Sequence, residues 1–412
     1  MHRQPRSQPA VPGSPPRPAG LNSERIGRDN LATVLREVHL HGGVSRSELV
    51  ERTGLYRQTI RSLVGQLEIR GLVTEVAAVS VGRPGRPSFV VQPRTDRIRV
   101  VAIDIEVDSI AVGLVGLGGI VVRSERMSRP RAATDPEQTV ADVVVLAGQV
   151  LDGEDRTVIR GLGVAVTGVV RRSDGVVRLA PNLGWTDVPL AAMLDAALGL
   201  GVPIAVGNEA DLGGLAEHLR GAAAGAGDVL YVSGEVGIGG GVIVAGRPLV
   251  GHGGYAGEIG HVVVNPMGEP CGCGATGCWE TEIGEVALLR RAGAGDEPLR
   301  DRAVARILGA AADGDPLALD AVREVGRWTG IGIAGFVNIF NPAVVVLGGL
   351  HARLYPMIAG VIAAEIECRT IAALRADLVI RPARFGLDAP LIGAAELAFE
   401  PVLTDPTAWE TG

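Results

Sequence analysis

Three of the 4 cysteines in this chain lie close together, in the stretch GEIGHVVVNPMGEPCGCGATGCWE at residues 257–280. Cys271, Cys273 and Cys278 follow ten to seventeen residues after His261. Three thiolates and one imidazole form a Cys₃His set, which closes tetrahedrally around zinc and leaves no ligand position for water. The stretch therefore predicts a structural rather than a catalytic Zn²⁺ site. The alternative is a buried turn that holds three reduced cysteines.

Length and composition limit the class of protein. A chain of 412 residues suggests two or three domains. With 47% hydrophobic and 21% charged residues it can bury a sizeable core, yet no apolar run reaches the ~20 residues that a membrane helix needs. The N-terminal residues have no apolar segment of signal-peptide length, so we expect a cytoplasmic protein with reduced thiols and no membrane partner. We expect Cys368, the fourth cysteine, to be a small buried side chain.

The cationic residues carry two further constraints. All 39 Lys+Arg residues are arginines, which excludes a phosphate-binding loop of the GxxxxGK[ST] type and any chemistry that needs a lysine. Residues 1–97 hold 15 arginines and 8 acidic residues, a net charge of +7, so the remaining chain carries −14 to reach the total of −7. A basic head on an acidic body predicts that only the head meets nucleic acid.

The head has the pattern of a DNA-binding domain behind a tail. Residues 1–21, rich in proline and arginine, predict a disordered segment. Residues 22–96 begin with apolar residues at helical spacing and a Gly-Gly stop. Ser45 is a plausible N-cap with Glu48 three residues on, which is the capping-box pattern of a second helix. We therefore expect two helices before residue 54.

A third helix and two strands complete a winged helix-turn-helix. A turn around Gly54 precedes a new apolar helical stripe, and the next segment indicates strand, Arg-Gly-Pro turn and strand. A plain helical hairpin is the alternative. In a winged module the second helix of the motif enters the major groove and wing arginines reach the minor groove or phosphates. The expected DNA contacts are Arg57, Gln58, Thr59, Arg61 and, at the tip of the wing, Arg83 and Arg86.

Beyond residue 97 the chain alternates strands and helices, and its motifs resemble those of one family. GHVVVNPMGEPCGCGATGCWE is similar to the signature of the ROK family of repressors, open reading frames and sugar kinases, and NPAVVVLGG and PNLGW resemble its nucleotide-side turn and sugar-side loop. The resemblance runs from about residue 22 to the C-terminus. It implies an α/β, actin-like (ribonuclease H-like) two-lobed sugar-kinase fold. The expected lobes are a small one at 97–210, to which 388–402 returns, and a large one with the zinc motif at 211–387.

The resemblance also implies a sugar site in the cleft between the lobes. Carboxylates, an amide and an imidazole together can grip vicinal hydroxyls, and His261 could place one ring nitrogen on zinc and the other toward the sugar. The implied sugar contacts are Asn208, Glu209, Glu258, His261 and Glu280. The alternative role for Asn208 and Glu209 is helix N-capping. The alternative for Glu258 and Glu280 is a solvated position on the surface.

Departures from the kinase pattern favour a regulator over an enzyme. Where family kinases have DxGGT, this chain has DIEVDS, with Glu106, Val107 and Asp108; where they have GTGxGGG it has EVGIGGG. The acidic residues, Glu235 among them, would repel a triphosphate. Glu209 stands at the general-base position in place of aspartate, which moves the carboxylate by about 1 Å. We expect a sugar to be bound but not phosphorylated. The alternative is an ATP-dependent sugar kinase with a regulatory DNA-binding domain.

The sequence therefore predicts a sugar-responsive transcriptional regulator. A dimer or tetramer would place two winged helices on the half-sites of a palindromic operator. Closure of the lobes on a sugar effector would then change the spacing of the two heads. Repression is the expected role and activation the alternative. A scaffold that binds sugar or protein but not DNA is a third class, against which the basic head counts.

Overall fold

A computed structural model of the chain describes residues 23–77, 89–132, 134–234, 236–295 and 300–409. Some of the sequence-based predictions concern residues outside these ranges. They are the tail at 1–21, the wing-tip residues Arg83 and Arg86, and the loop residue Glu235. In the part of the chain that is described, no helix is long and apolar enough to span a bilayer.

The head consists of three helices and a small antiparallel sheet of strand order β1-β3-β2. The predicted capping box is present, because the Ser45 hydroxyl accepts a hydrogen bond from the Glu48 amide while the Glu48 carboxylate accepts one from the Ser45 amide. Gly54 ends α2 with φ +70°, where glycine costs least. The helix-turn-helix prediction is confirmed. The elements are α1 (Ser23–His41), β1 (Val44–Ser45), α2 (Arg46–Thr53), α3 (Arg57–Ile69), β2 (Val73–Ala77) and β3 (Phe89–Pro93).

The first lobe of the body is built on a five-stranded sheet of order β11-β7-β4-β5-β6. The strands β4, β5 and β6 pair with one another in antiparallel fashion. Strand β7 pairs with β4 in parallel, and β11 pairs with β7 in parallel. A second, three-stranded sheet of order β10-β9-β8 lies beside it. The elements are β4 (Arg99–Ile105), β5 (Ser109–Gly116), β6 (Ile120–Ser128), α4 (Pro136–Val150), β7 (Ile159–Val166), β8 (Val169–Arg171), β9 (Val176–Ala180), β10 (Trp185–Val188), α5 (Leu190–Leu198) and β11 (Ile204–Asn208).

The second lobe is built on another five-stranded sheet, of order β14-β13-β12-β15-β16. Here too three strands that are consecutive in the chain, β12, β13 and β14, pair in antiparallel fashion. Strand β15 then pairs with β12 in parallel, and β16 pairs with β15 in parallel. The elements are α6 (Glu209–Arg220), β12 (Val229–Gly234), β13 (Ile238–Val244), β14 (Arg247–Pro248), α7 (Trp279–Ile283), α8 (Glu285–Arg291), α9 (Arg300–Ala312), α10 (Pro316–Phe340), β15 (Val344–Leu347), α11 (Gly349–Arg369), α12 (Ala372–Arg375), β16 (Val379–Pro382) and α13 (Ala389–Thr404).

The same sheet topology therefore occurs twice, which is the arrangement of a two-lobed ribonuclease H-like fold, and the predicted fold class is confirmed. The C-terminal helix α13 returns to the first lobe, where it packs on β4 and β7. A Cβ at Gly163 of β7 would lie 1.9 Å from the Ala394 carbonyl oxygen, so only glycine permits this approach. Between the lobes, α6 contacts α13 on one side and β12 and β13 on the other. The exact lobe limits stay predictions.

The head is packed directly on the body. One continuous apolar core includes Leu35 and Val38 of α1 together with Phe399 and Val402 of α13, all of them buried. Burial of such side chains is the main favourable term in folding, so the head and the first lobe stabilise each other. The prediction for Cys368 was wrong, because this residue is exposed near the end of α11.

Candidate functional site

The structure brings the four predicted metal ligands together. The ligand atoms of His261, Cys271, Cys273 and Cys278 all lie within 4.8 Å of one another. The loop that carries them is held by two isolated β-bridges, and Gly277 has φ +75° with the Asn265 carbonyl oxygen 1.5 Å from where a Cβ would stand. A side chain at residue 277 would therefore disrupt the loop.

The distances within this cluster suit a tetrahedral ion. The Cys273 and Cys278 sulfurs are 3.6 Å apart, and the Cys271 sulfur is 3.6 Å from Nδ1 of His261. Tetrahedral angles with ordinary Zn–S and Zn–N bonds place sulfurs about 3.8 Å apart and sulfur and nitrogen about 3.6 Å apart. Cys271 and Cys278 are buried and Cys273 is exposed. The cluster could hold a metal with all four positions filled by protein.

His261 connects this cluster to a pocket. Its Nδ1 faces the Cys271 sulfur, while its Nε2 lies 4.0 Å from a carboxylate oxygen of Glu258. The two ring nitrogens thus face different groups, and the dual role of His261 toward zinc and sugar stays a prediction. A metal on Nδ1 would leave the proton on Nε2, and the imidazole would then be a donor toward Glu258 and the pocket.

The pocket is an open depression of about 320 Å³, a volume that includes space open to solvent, between the first turn of α6, strand β13 and the loop that precedes His261. Its walls come from both lobes, with a segment that begins at Gly168 on one side and glycines of β13 on the other. Asn208 and Glu258, two of the predicted sugar contacts, line it. The polar lining residues are Asn208, Asp211, Tyr255 and Glu258.

Asn208 serves as the N-cap of α6. Its side-chain oxygen accepts hydrogen bonds from the amides of Ala210 and Asp211 at 2.8 and 3.2 Å, and its side-chain nitrogen donates to the Gly168 carbonyl at 2.9 Å. The capping role that the sequence left open is therefore present. A side-chain amide has two N–H groups, so one of them stays available to a ligand in the pocket.

Two carboxyl groups near the pocket have a raised pKa. Burial, followed by the neighbouring Glu106, raises the pKa of Glu209 to about 8. Burial and then Glu280 raise the pKa of Glu258, against the opposing effect of His261. Glu209 also accepts a hydrogen bond from the Thr167 hydroxyl. At neutral pH Glu209 is mostly protonated, so it can donate a hydrogen bond to a hydroxyl group but is poorly suited to remove a proton from one.

Asp211 and Arg172 form part of the same site and were not identified from the sequence. The Arg172 guanidinium donates to the Asp211 carboxylate at 2.8 Å. Burial raises the pKa of Asp211 to about 6, and Arg172 opposes this effect. The sequence position of Asp211 could have indicated this role. Asp211 follows Asn208 by three residues on the first turn of α6, so the two lie on the same helix face.

The side chain of Glu280, on α7, binds the glycine-rich loop of residues 237–241. Its carboxylate accepts a hydrogen bond from the Ile238 amide at 2.9 Å and lies 2.6 Å from where a Cβ of Gly237 would stand. Backbone amides of such loops are the groups that could hold a phosphate. In this structure one of them is bound to an internal carboxylate, and Glu280 faces the loop rather than lining the pocket.

An ion-pair bridge crosses the cleft near residues 104–109, the DIEVDS stretch that stands where family kinases have DxGGT. Arg131 of the first lobe donates to the Asp108 carboxylate at 2.7 Å and to the Glu285 carboxylate of α8, in the second lobe, at 2.9 Å. Val236 of the glycine-rich loop packs against the apolar core of the first lobe. The two lobes are therefore in contact where the resemblance would place a nucleotide.

The candidate DNA surface is the outer face of α3. Arg57, Gln58 and Arg61 are exposed, and Thr59 is half-buried. Tyr56, which sequence reasoning missed, is 85% exposed at the N-cap of this helix, and its side chain makes no capping hydrogen bond. Its ring therefore stands exposed at a position that ordinarily favours Ser, Thr, Asp or Asn.

Comparison with known proteins identifies the family. Residues 100–400 match the model of the ROK family. The chain is 31% identical over 317 residues to the glucokinase of Streptomyces coelicolor (strain ATCC BAA-471 / A3(2) / M145), an alignment that covers 73% of this chain and 98% of that protein. The chain belongs to the ROK family, which confirms the resemblance drawn from its motifs.

A repressor and a transcriptional regulator align over most of the chain, including part of the head. The xylose repressor of Bacillus subtilis (strain 168) is 28% identical over 373 residues, covering 90% of this chain and 95% of that protein. Among solved structures, a ROK family transcriptional regulator described as a homolog of the E. coli MLC protein superposes with a TM-score of 0.75 at 26% identity, covering 92% of this chain and 97% of that chain.

We predict that Glu209→Gln removes a pH dependence of stability. Because the pKa of Glu209 is about 8 in the folded protein and about 4.3 when unfolded, its protonated form stabilises the fold fully below pH ~4.3, and this contribution is lost as the pH rises to ~8. Glutamine resembles the protonated form. Melting curves should therefore show a gain of several °C at pH 8 and a much smaller one at pH 5.

The exposed Glu51 of α2 offers a matched control for this experiment. Glu51→Gln should change the melting temperature by less than about 1 °C at either pH, in line with surface substitutions. A Glu209→Gln protein whose melting temperature followed that of the wild type across this pH range would contradict the assignment.

Proposed function

We propose that this chain is a sugar-responsive transcriptional repressor whose body binds a sugar effector without phosphorylating it. The observation that carries the proposal is the union of two parts in one packed unit: a helix-turn-helix with an exposed, arginine-bearing α3, and a ROK body with a polar pocket between its lobes. The xylose repressor of Bacillus subtilis and the solved ROK family transcriptional regulator align over 90% and 92% of the chain, whereas the glucokinase aligns over 73% of it.

Three features of the cleft support binding without phosphoryl transfer. Glu106 and Asp108 place acidic groups at the first altered loop, where each like-charge contact with a triphosphate costs about 1 kcal/mol in water and more in a low-dielectric cleft. Glu280 already binds the Ile238 amide of the second loop. Glu209, at the general-base position, has a pKa of about 8 and holds its proton at neutral pH.

Zinc is the metal that best suits the Cys₃His cluster. Three soft sulfurs and one imidazole at tetrahedral spacing select Zn²⁺ over oxygen-preferring cations, and four protein ligands make the site structural. His261, Cys271, Cys273 and Cys278 would hold the ion. Their role is to fix the loop of residues 261–278 so that His261 and Glu258 face the pocket.

The sugar would enter the pocket and contact both lobes. The side-chain amide of Asn208 and the carboxyl of Glu258 line the pocket and offer donors and acceptors for hydroxyl groups. The protonated carboxyl of Glu209, which follows Asn208 on α6 but does not line the pocket, is a further donor if a bound sugar reaches it. A ligand that contacts both lobes binds one lobe angle better than another and shifts the protein toward it. In a dimer or higher oligomer, this shift would change how two heads fit the half-sites of a palindromic operator.

A binding selection tests this function. Full-length protein should enrich a duplex with palindromic half-sites from a random DNA pool, and fluorescence anisotropy should then show a change of about 5- to 150-fold in operator affinity with an effector sugar. D-xylose and D-glucose are the first probes, each free and phosphorylated. With ATP and Mg²⁺, turnover should stay far below ~1 s⁻¹, the low end of kinase rates. Failure to enrich any duplex, or turnover near that rate, would refute the proposal.

Removal of the metal should weaken sugar binding. We predict that purified protein contains about one zinc per chain and that Cys273→Ser loses it, because three ligands remain. Sugar affinity should then fall by about 10-fold or more, since His261 loses its fixed orientation. Elemental analysis and calorimetry measure the two effects. Cys368→Ser, outside the cluster, should change neither, and a metal-free Cys273→Ser protein with wild-type sugar affinity would exclude this role.

Tyr56→Ser should separate stability from DNA binding. Serine can cap α3, which typically stabilises a helix by about 1 kcal/mol, so the melting temperature should rise or stay constant. Operator affinity should fall by about 10-fold, because the exposed ring at the start of α3 is lost. Leu317→Ser, an exposed apolar residue of α10, is the control. Unchanged operator affinity in Tyr56→Ser would remove Tyr56 from the interface.

A further inference from the structure

Arg220, the last residue of α6, holds the end of the first helix of the head. Its guanidinium donates to the carbonyl oxygens of Leu40 and His39 at 3.2 and 3.1 Å, and its Nε donates to the Glu396 carboxylate of α13 at 2.6 Å. The last carbonyls of α1 have no partner within their own helix. Arg220 therefore caps α1 of the head from an element of the body.

The same carboxylate also binds the head directly. Nε2 of His39 lies 3.0 Å from Glu396, and Nδ1 of His39 accepts a hydrogen bond from the Gly118 amide at 2.9 Å. These partners assign the proton to Nε2. Burial alone would raise the pKa of Glu396, but His39 and Arg220 outweigh it and hold that pKa at about 2. The side chains of His39 and Glu396 are at most 2% exposed. Because they are shielded from water at this contact between head and body, each depends on its hydrogen-bond partners.

The other end of α6 lies in the sugar pocket. Asn208 caps the helix and lines the pocket, and Asp211 on its first turn lines it as well. Glu209, between them, is the carboxyl at the general-base position. One helix of 12 residues thus carries pocket side chains at its first turn and the joint with the head at its last. Asp211 and Arg220 are nine residues apart, about 14 Å along the axis.

This helix is held closely enough to move as one piece. A Cβ at Gly393 of α13 would lie 1.9 Å from the Leu212 carbonyl oxygen, so the two helices touch backbone to backbone. Near its C-terminal end, the buried Glu217 accepts hydrogen bonds from the amides of Arg384 and Phe385. Displacement at the first turn is therefore transmitted along the helix rather than absorbed by a void.

We propose that α6 transmits sugar occupancy to the head and that Arg220 is the positioning residue that couples them. This inference rests on the proposed function, since it specifies how the pocket regulates DNA binding. Sugar contacts at Asn208 and Asp211 move or fix the first turn of α6. The fork of Arg220 carries this change to the carbonyls of α1, whose angle on the body sets the orientation of α3.

The test compares wild type with Arg220→Met and Arg220→Lys in the full-length protein. Operator affinity is measured by anisotropy, on the duplex that the wild type selects, with and without whichever of D-xylose and D-glucose shifts it. In Arg220→Met the sugar effect should fall below about 2-fold, from the 5- to 150-fold range of wild type. Sugar affinity itself should stay within about 3-fold. Arg220→Lys keeps one charge but lacks the fork and should lose most of the effect while remaining folded.

Arg36→Met is the matched control. Arg36 pairs with Glu400 at 3.0 Å across the same α1 and α13 surfaces, but this pair is exposed and does not involve α6. Its loss should leave the sugar effect unchanged. Amide hydrogen exchange supplies a second measurement: sugar should alter exchange in the last turn of α1 in the wild type and in Arg36→Met, but not in the Arg220 variants.

Each outcome decides the proposal. A folded Arg220 variant with the wild-type sugar effect on operator affinity would overturn it. Loss of sugar binding in both Arg220 variants would also overturn it, because Arg220 would then be a support of the pocket. If Arg220→Met does not fold, Arg220→Lys alone decides. Failure of the proposed function is distinguishable, since it would appear in the wild type as an operator affinity that no sugar changes.

Discussion

Buried carboxylates paired with guanidinium groups are the interactions on which the assembly of this chain depends. With no lysine in the sequence, the basic side chains that meet acidic ones are arginines and a few histidines. The fork of an arginine can bind two partners at once, and Arg131 and Arg220 each connect elements that are distant in sequence. Removal of Arg220 leaves the buried charge of Glu396 without this partner, and removal of Arg131 does the same to the buried Glu285. The head, the first lobe and the second lobe are therefore linked by contacts that tolerate little change.

The features that the sequence predicted are those whose causes are local. The capping box of Ser45 and Glu48, the turn at Gly54 and the Cys₃His spacing each involve residues within about twenty positions, and the structure has all three. The two-lobed body followed from motif resemblance rather than from periodicity.

The features that the sequence did not predict depend on contacts between distant segments. Arg220 and Glu396 are 176 positions apart, and His39 and Glu396 are 357 apart. Nothing in local composition indicates such a pairing. Glu280 shows the same limit, because its type suited a sugar contact but its carboxylate binds the Ile238 amide. For Tyr56 a local signal existed, since an aromatic residue at an N-cap is unfavourable, but helix boundaries are needed before that position can be recognised.

In the proposed function, the placement of the pocket accounts for control of the head by a sugar that does not touch it. A ligand shifts an equilibrium only by the difference between its affinities for the two states, and a pocket confined to one rigid lobe would offer no such difference. Here Gly168 and Asn208 line one wall while Gly239 and Glu258 line the other, so ligand contacts vary with the lobe angle. The Arg131 bridge opposes separation of the lobes, and α6 lies where the two lobes and the head meet. In the proposed function no phosphoryl transfer follows binding, so the free energy of sugar binding favours one lobe angle rather than stabilising a transition state.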